Sequence, residues 1–259
     1  MITIRNLHKA FGNVPVLQGI DLEFSKKGTI TAILGPNGSG KTTLIKSLLG
    51  MVIPGKGLIE INGIDVRGQW EYRAQIDYLP QIARFPDNLT VSELIAMIKD
   101  LRNQNADDAR FIQLFGLEPY LDKRLGNLSG GTQQKVNLTL AFMYDSPILI
   151  LDEPSNGLDP VAMLHFRELI SEEKQKGKII LITTHIMSLV EEMADEVVFL
   201  LDGKVYFHGT VSALKEQQQE SSVERAIAAI LNVKKKHKPL EKPQPVLIPD
   251  KAFSFNIST

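Results

Sequence analysis

One stretch constrains this chain more than any other: Gly35-Pro36-Asn37-Gly38-Ser39-Gly40-Lys41-Thr42-Thr43, which satisfies G-x-x-x-x-G-K-[ST] in full. Each residue type answers a need of a phosphate cradle. Gly35, Asn37, Gly38, Ser39 and Gly40 belong to a loop whose backbone amides can turn inward on an anion, and Lys41 reaches β and γ oxygens. The Thr42 hydroxyl is placed to ligate Mg²⁺, and Thr43 continues the first turn of a helix whose positive end faces the phosphates. The apolar run Thr29 to Leu34 precedes the loop and a helical pattern, Lys41 to Leu49, follows it. Strand, glycine-rich turn and helix open an α/β unit.

A second acidic signal lies downstream. Ile148-Leu149-Ile150-Leu151-Asp152-Glu153 reads as a strand buried on both faces that ends in two carboxylates. In an open α/β sheet the carboxyl ends of the strands are where ligands bind. Asp152 there suits a metal ion, directly or through water, and Glu153, pointing elsewhere, suits polarising an attacking water.

The rest of the pattern alternates. Short strands are expected from Ile2 and Ile4, over Val16 to Phe24 and over Gly57 to Gly63. Thr90-Val91-Ser92-Glu93 forms a capping box, with Leu94, Ile95, Ile98 and Leu101 following on one helical face. Helical patterns also cover 107–115 and begin near Gly130, so residues 85–145 read as a helical insertion between strands. A helix from Val161 to Gln175, a strand from Lys178 to Thr184, a helix from Ser188 to Met193 and a strand from Glu196 to Leu201 predict a mostly parallel sheet. Val223 to Val233 reads as a short amphipathic helix, followed by the basic run Lys234 to Lys238. That run is read as a solvated helix end or linker, with contact to anionic lipid or to a partner near the membrane as the alternative. The proline-containing tail after it is expected to lack order. The 259 residues accommodate one large domain with a subdomain and a tail.

Composition removes several classes. With no cysteine there is no disulfide framework, thiolate metal site or cysteine nucleophile. The formal net charge of -1 gives no global reason for a nucleic-acid partner. No apolar run approaches the roughly 20 residues that span a bilayer, and no export signal is read at the N-terminus.

Between the phosphate loop and the acidic strand stands Leu128-Ser129-Gly130-Gly131-Thr132. The order of these three motifs resembles that of the nucleotide-binding subunit of an ABC transporter, over about residues 1 to 215. The resemblance implies a P-loop NTPase core with a mostly parallel sheet, an antiparallel β subdomain and a helical subdomain insertion. The cassette would occupy 1–220, its helical subdomain about 85–145, and a short helix, basic segment and flexible tail 221–259. It implies ATP and Mg²⁺ as ligands and hydrolysis of ATP to ADP and phosphate, with Glu153 as general base, Lys41 stabilising charge and His185 holding the γ-phosphate. Thr42, Gln81 and Asp152 would serve the metal.

It also implies a head-to-tail dimer in which Ser129, Gly130 and Gly131 of one copy hold the nucleotide of the other. Phe11 sits where the family stacks an aromatic on adenine, and Asp159, in Ser155-Asn156-Gly157-Leu158-Asp159, lies in a dimer-contact loop. The family usually carries Gln where this chain has Thr132, a shorter reach that predicts a retained but weaker or slower dimer site. The implied partner is a separate transmembrane permease, docked around Phe85 to Leu94, with the chain held peripherally at the cytoplasmic membrane face. The stretch from Phe85 to Leu94 resembles ABC-2-type subunits, including drug-export and copper-processing members, which leans toward export. The rival class is a soluble ABC ATPase serving no transporter, such as one for iron–sulfur cluster assembly.

Overall fold

The computed structural model describes residues 1–237. The alternating start of the chain forms not several short strands but one long hairpin, β1 (Ile2–Phe11) and β2 (Val14–Phe24). Its register shifts at three points of β1, and such bulges bend and twist a ribbon of this length. Next come β3 (Thr29–Leu34), helix α1 (Lys41–Leu48), β4 (Lys56–Ile61), β5 (Ile64–Asp65) and β6 (Ile76–Leu79). Helices α2 (Val91–Arg102), α3 (Asp108–Leu114) and α4 (Gly130–Phe142) follow before the chain returns to β7 (Ile148–Asp152). It then runs through α5 (Pro160–Gln175), β8 (Ile179–Thr183), α6 (Met187–Met193), β9 (Glu196–Leu201), β10 (Lys204–Thr210), α7 (Val211–Gln218) and α8 (Val223–His237).

Two sheets result. An antiparallel sheet has the order β2-β1-β4-β5, and a six-stranded sheet the order β10-β9-β3-β8-β7-β6. In the larger sheet every pairing is parallel except that of β10 with β9. The two-residue period of its strands divides the core. Ile148 and Ile150 face the antiparallel sheet with Ile2, Ile4 and the α1 residues Leu44 and Leu48. Leu149 and Leu151 face the other way, onto Phe142 of α4 and Phe166 of α5. Strands β3, β7 and β8 are buried at every position, which is why they read as unbroken apolar runs.

The capping box at α2 is present: Glu93 N donates to Thr90 Oγ1 at 3.2 Å, and Thr90 N to Glu93 Oε2 at 2.8 Å. Leu94 and Ile95 are buried as expected, but Leu101 is 74% exposed. The last turn of α2 turns its neighbour Arg102 inward instead, and leaves Leu101 facing outward. Arg102 Nη1 donates to Asp77 Oδ1 at 2.6 Å, and the guanidinium lies 4.1 Å from the Tyr144 ring centroid. Asp77, 1% exposed, also accepts from the Ser146 amide and hydroxyl.

These contacts explain β6, which a charged residue in a four-residue run hides from a periodicity reading. The carboxylate is satisfied by groups 25 and 69 residues away in sequence. Arg102→Met is expected to strand this carboxylate and cost about 2 kcal/mol, below the ~3–5 kcal/mol of a fully buried pair because Arg102 is 22% exposed. Chemical denaturation of the two proteins measures it.

At the C-terminal end, the helix expected over Val223 to Val233 extends to His237, taking the backbone of Lys234, Lys235 and Lys236 with it. Lys238 and the tail expected to lack order lie outside the described residues. No described helix is long and apolar enough to cross a membrane.

Candidate functional site

The phosphate loop leaves the carboxyl end of β3 with its back against β9. A Cβ on Gly35, whose φ is 150°, would stand 2.2 Å from Leu200 O and 2.6 Å from Ser39 Oγ, so this position admits only glycine. Gly40 precedes α1 without any side-chain cap. The first amides of that helix are thereby left open to an anion. Lys41 Nζ donates to Gly35 O at 2.7 Å and Pro36 O at 3.2 Å, folded over its own loop. Burial lowers its pKa, and the carboxylates of Glu153 and Asp152 oppose that lowering. The acidic strand end thus lies within electrostatic reach of the phosphate-loop lysine, through β3 and β7 flanking β8.

Asp152 closes β7 and is 3% exposed. Its Oδ1 accepts from Thr183 Oγ1 at 2.5 Å, while its Oδ2 is buried without a partner. A buried carboxylate oxygen is costly unless something compensates it, and a hard cation fits that requirement. Glu153 follows in a left-handed backbone conformation, φ 54°. Its amide donates to Thr183 O at 3.1 Å and to Thr183 Oγ1 at 3.0 Å. One threonine therefore orients both acids, and nothing in the apolar run ending Thr183-Thr184-His185 marked it out in sequence. Glu153 Oε2 lies 2.8 Å from His185 Nδ1, whose ring is 70% exposed.

Tyr78, on β6 beside this cluster, has its hydroxyl pKa pushed up to about 12, first by burial and then by the Asp152 carboxylate. The unfolded chain ionises near the ordinary value of 10.0, so between pH 10 and 12 it binds fewer protons than the folded one. Stability is therefore expected to fall with rising pH across that window. Tyr78→Phe should show the smaller fall when urea midpoints are compared at pH 9 and pH 11.

Among the described residues the remaining candidates make no hydrogen bond or ion pair to Lys41, Asp152, Glu153 or His185. Gln81 is exposed, two residues beyond β6, and Phe11, at the end of β1, is 51% exposed with Lys9 Nζ 4.9 Å from its ring centroid. Ser129 caps α4: its Oγ accepts from the Thr132 amide at 3.2 Å and lies 2.9 Å from Thr132 Oγ1. Ser129 and Gly130 are exposed, and no hydrogen bond or ion pair among the described residues joins them to the phosphate loop. Asp159 caps α5 through the Ala162 amide at 2.9 Å and pairs with Lys135 Nζ at 2.6 Å, which holds its carboxyl below the usual range. A cleft of about 410 Å³ opens between the segment at Ala83 to Asp87 and the helices α2 and α4, lined by Phe85, Leu94, Gln133 and Val136.

Comparisons with known proteins find relatives over most of the chain. Residues 17–156 match the family model described as ABC transporter. The probable amino-acid import ATP-binding protein YxeO of Bacillus subtilis (strain 168) is 31% identical, over 89% of this chain and 97% of that protein. The Nod factor export ATP-binding protein I of Burkholderia orbicola (strain AU 1054) is 34% identical, over 84% of this chain and 73% of that protein. Among solved structures, an ATP-binding subunit of an ABC transporter superposes with a TM-score of 0.83 at 29% identity, covering 89% of this chain and 99% of that one. The dimeric cassette MJ0796 shares the fold with a TM-score of 0.74 at 23% identity, covering 81% and 98%.

Proposed function

This chain belongs to the ABC transporter family as an ATP-binding subunit, and from that premise we propose that two copies sandwich two ATP head to tail, hydrolyse them, and drive a separate transmembrane permease. The observation that carries the reading is the meeting of Lys41, Asp152 and Glu153 at the carboxyl end of one parallel sheet, with His185 on the Glu153 carboxylate. We read residues 1–220 as the cassette, with 85–145 its helical subdomain, and 221–259 as an appended helix, basic segment and tail.

In this mechanism the amides of Gly35 and of Asn37 to Thr43, with the Lys41 ammonium, hold the β and γ phosphates. Phe11 offers its exposed ring to the adenine. A magnesium ion on Thr42 and Asp152, with Gln81 reaching it from the β6 edge, would neutralise charge on the phosphate oxygens. Glu153 accepts the proton of the attacking water as the bond from the γ phosphorus to the bridging oxygen breaks and ADP leaves. His185 orients Glu153 through Nδ1 and turns its exposed ring toward the γ-phosphate. Ser129 with the amides of Gly130 and Gly131, at the start of α4, completes the other copy's site, and Asp159 lies in the loop that meets that copy.

The permease docks at the cleft beside Phe85, which places the chain at the cytoplasmic membrane face. Export is our reading of direction, supported by the resemblance of residues 85–94 to ABC-2-type subunits and by the Nod factor export relatives; the amino-acid import relative speaks for the opposite direction.

The test is purification of the full chain from its native membrane. ATP hydrolysis that depends on magnesium, together with a co-purifying membrane subunit, supports the proposal. Hydrolysis with only soluble partners would move the chain to the iron–sulfur assembly class. Thr132→Gln, which lengthens the reach beside Ser129, is expected to raise turnover at limiting protein concentration; equal rates and equal dimer affinity would make Thr132 neutral.

A further inference from the structure

Glu153 is the one carboxylate in a left-handed backbone conformation within the nucleotide site, φ 54°. The asparagines at Asn6, Asn62 and Asn103, which also have positive φ, are of a type that tolerates this region. Glutamate is not, and such strain persists only where the surroundings over-determine it. On its N-terminal side the restraint is Thr183, which accepts the Glu153 amide. On its C-terminal side the Glu153 carbonyl accepts from the Asn156 amide at 3.3 Å, and the carbonyl after it, that of Pro154, accepts from Gln134 Nε2 at 2.8 Å in a buried hydrogen bond.

Gln134 belongs to α4, and the same face of that helix holds the rest of the loop. One turn earlier, a Cβ on Gly131 would come 2.9 Å from Gly157 O, so the loop lies directly on the helix backbone there. One residue later, Lys135 Nζ pairs with Asp159 Oδ2 at 2.6 Å. Positions 131, 134 and 135 share one helical face. The loop 154–159 is strapped along it at three points.

We propose that Gln134 is a positioning residue for hydrolysis, holding the Pro154 carbonyl and with it the left-handed turn that aims the Glu153 carboxylate, while Lys135 fixes the far end of the same loop. The inference rests on the proposed function and adds a link to it. The first turn of α4 carries Ser129 and Gly130, so engagement of a second copy on that turn and the aim of the base in the same chain move as one body.

The experiment compares steady-state ATP hydrolysis and melting temperature in the full-length chain. Gln134→Met keeps the volume but removes the donor; it is expected to lower kcat about 10- to 100-fold with the KM for ATP within about twofold. Added to Glu153→Gln, it should slow the residual rate no further, because groups that act as a unit are not additive. An unchanged kcat in Gln134→Met, or a double mutant clearly slower than Glu153→Gln alone, overturns the role.

If Gln134→Met fails to fold, Lys135→Met decides: a kcat lower by about 2- to 5-fold at unchanged KM supports the strap, and an unchanged kcat overturns it. A wild-type chain that neither binds nor hydrolyses ATP counts against the proposed function itself. A wild type that hydrolyses ATP, with equally fast variants, counts only against the strap.

Discussion

Glu153→Gln is expected to lower ATP turnover by about 10²- to 10⁴-fold, the contribution of a positioned general base, while leaving nucleotide affinity within about twofold. The substitution is nearly isosteric. It removes the oxygen that, in the proposed mechanism, takes the proton from water, and keeps the backbone bonds to Thr183 O and Thr183 Oγ1 that set the turn. The phosphate loop and Lys41 are untouched, so ATP is expected still to bind and two copies still to close on it. With hydrolysis blocked, the closed pair should accumulate. Size-exclusion chromatography with ATP is expected to show a dimer that the wild type does not retain. Near-normal turnover in this variant would remove Glu153 from its role.

Ser129→Arg should abolish hydrolysis, with ATP binding by the single chain intact. Ser129 and Gly130 are exposed at the start of α4, and among the described residues no hydrogen bond or ion pair joins them to the phosphate loop of their own chain. Beyond the loss of its cap and any shift of α4 on the loop after Glu153, an effect on turnover is expected to pass through a second copy, against which an arginine would project. Ser129 also accepts the Thr132 amide, so its replacement removes an N-cap as well as changing the surface. Ser129→Ala separates the two effects. It loses the cap, at about 0.5–2 kcal/mol of stability, without adding bulk, and should keep more activity than the arginine variant. Loss of nucleotide binding by the isolated Ser129→Arg monomer would indicate a damaged fold and defeat the prediction.

Much of the fold is legible in the chain because its causes are local. The strands β3, β7 and β8 declare themselves as apolar runs ended by turn residues or acids, and α2 by a capping box whose two bonds need only residues three apart. The sequence is silent where the deciding partner is distant. β6 was hidden by Asp77, whose carboxylate is acceptable in a buried strand only because Arg102 and Ser146 come to it. Leu101 fits the apolar face of α2 by spacing, yet is exposed because the inward contact at that helix end belongs to Arg102. β10 and α7 carried no period strong enough to stand out.

The same division runs through the candidate site. Motif chemistry belongs to consecutive residues, so a phosphate-binding loop, a capped glycine pair and an acidic strand end can each be recognised from sequence spacing. Their arrangement is a matter of sheet order. Parallel pairing of β8 with both β3 and β7 brings residues 41 and 152–153 to one end of the sheet, and Thr183 then ties the two acids together. Gln134 had no mark in sequence beyond its polarity, since its significance is a hydrogen bond to a carbonyl 20 residues away. A backbone carbonyl is the same in every residue, so no sequence pattern says which one a buried amide will meet; only the packing of α4 on the loop after Glu153 decides it.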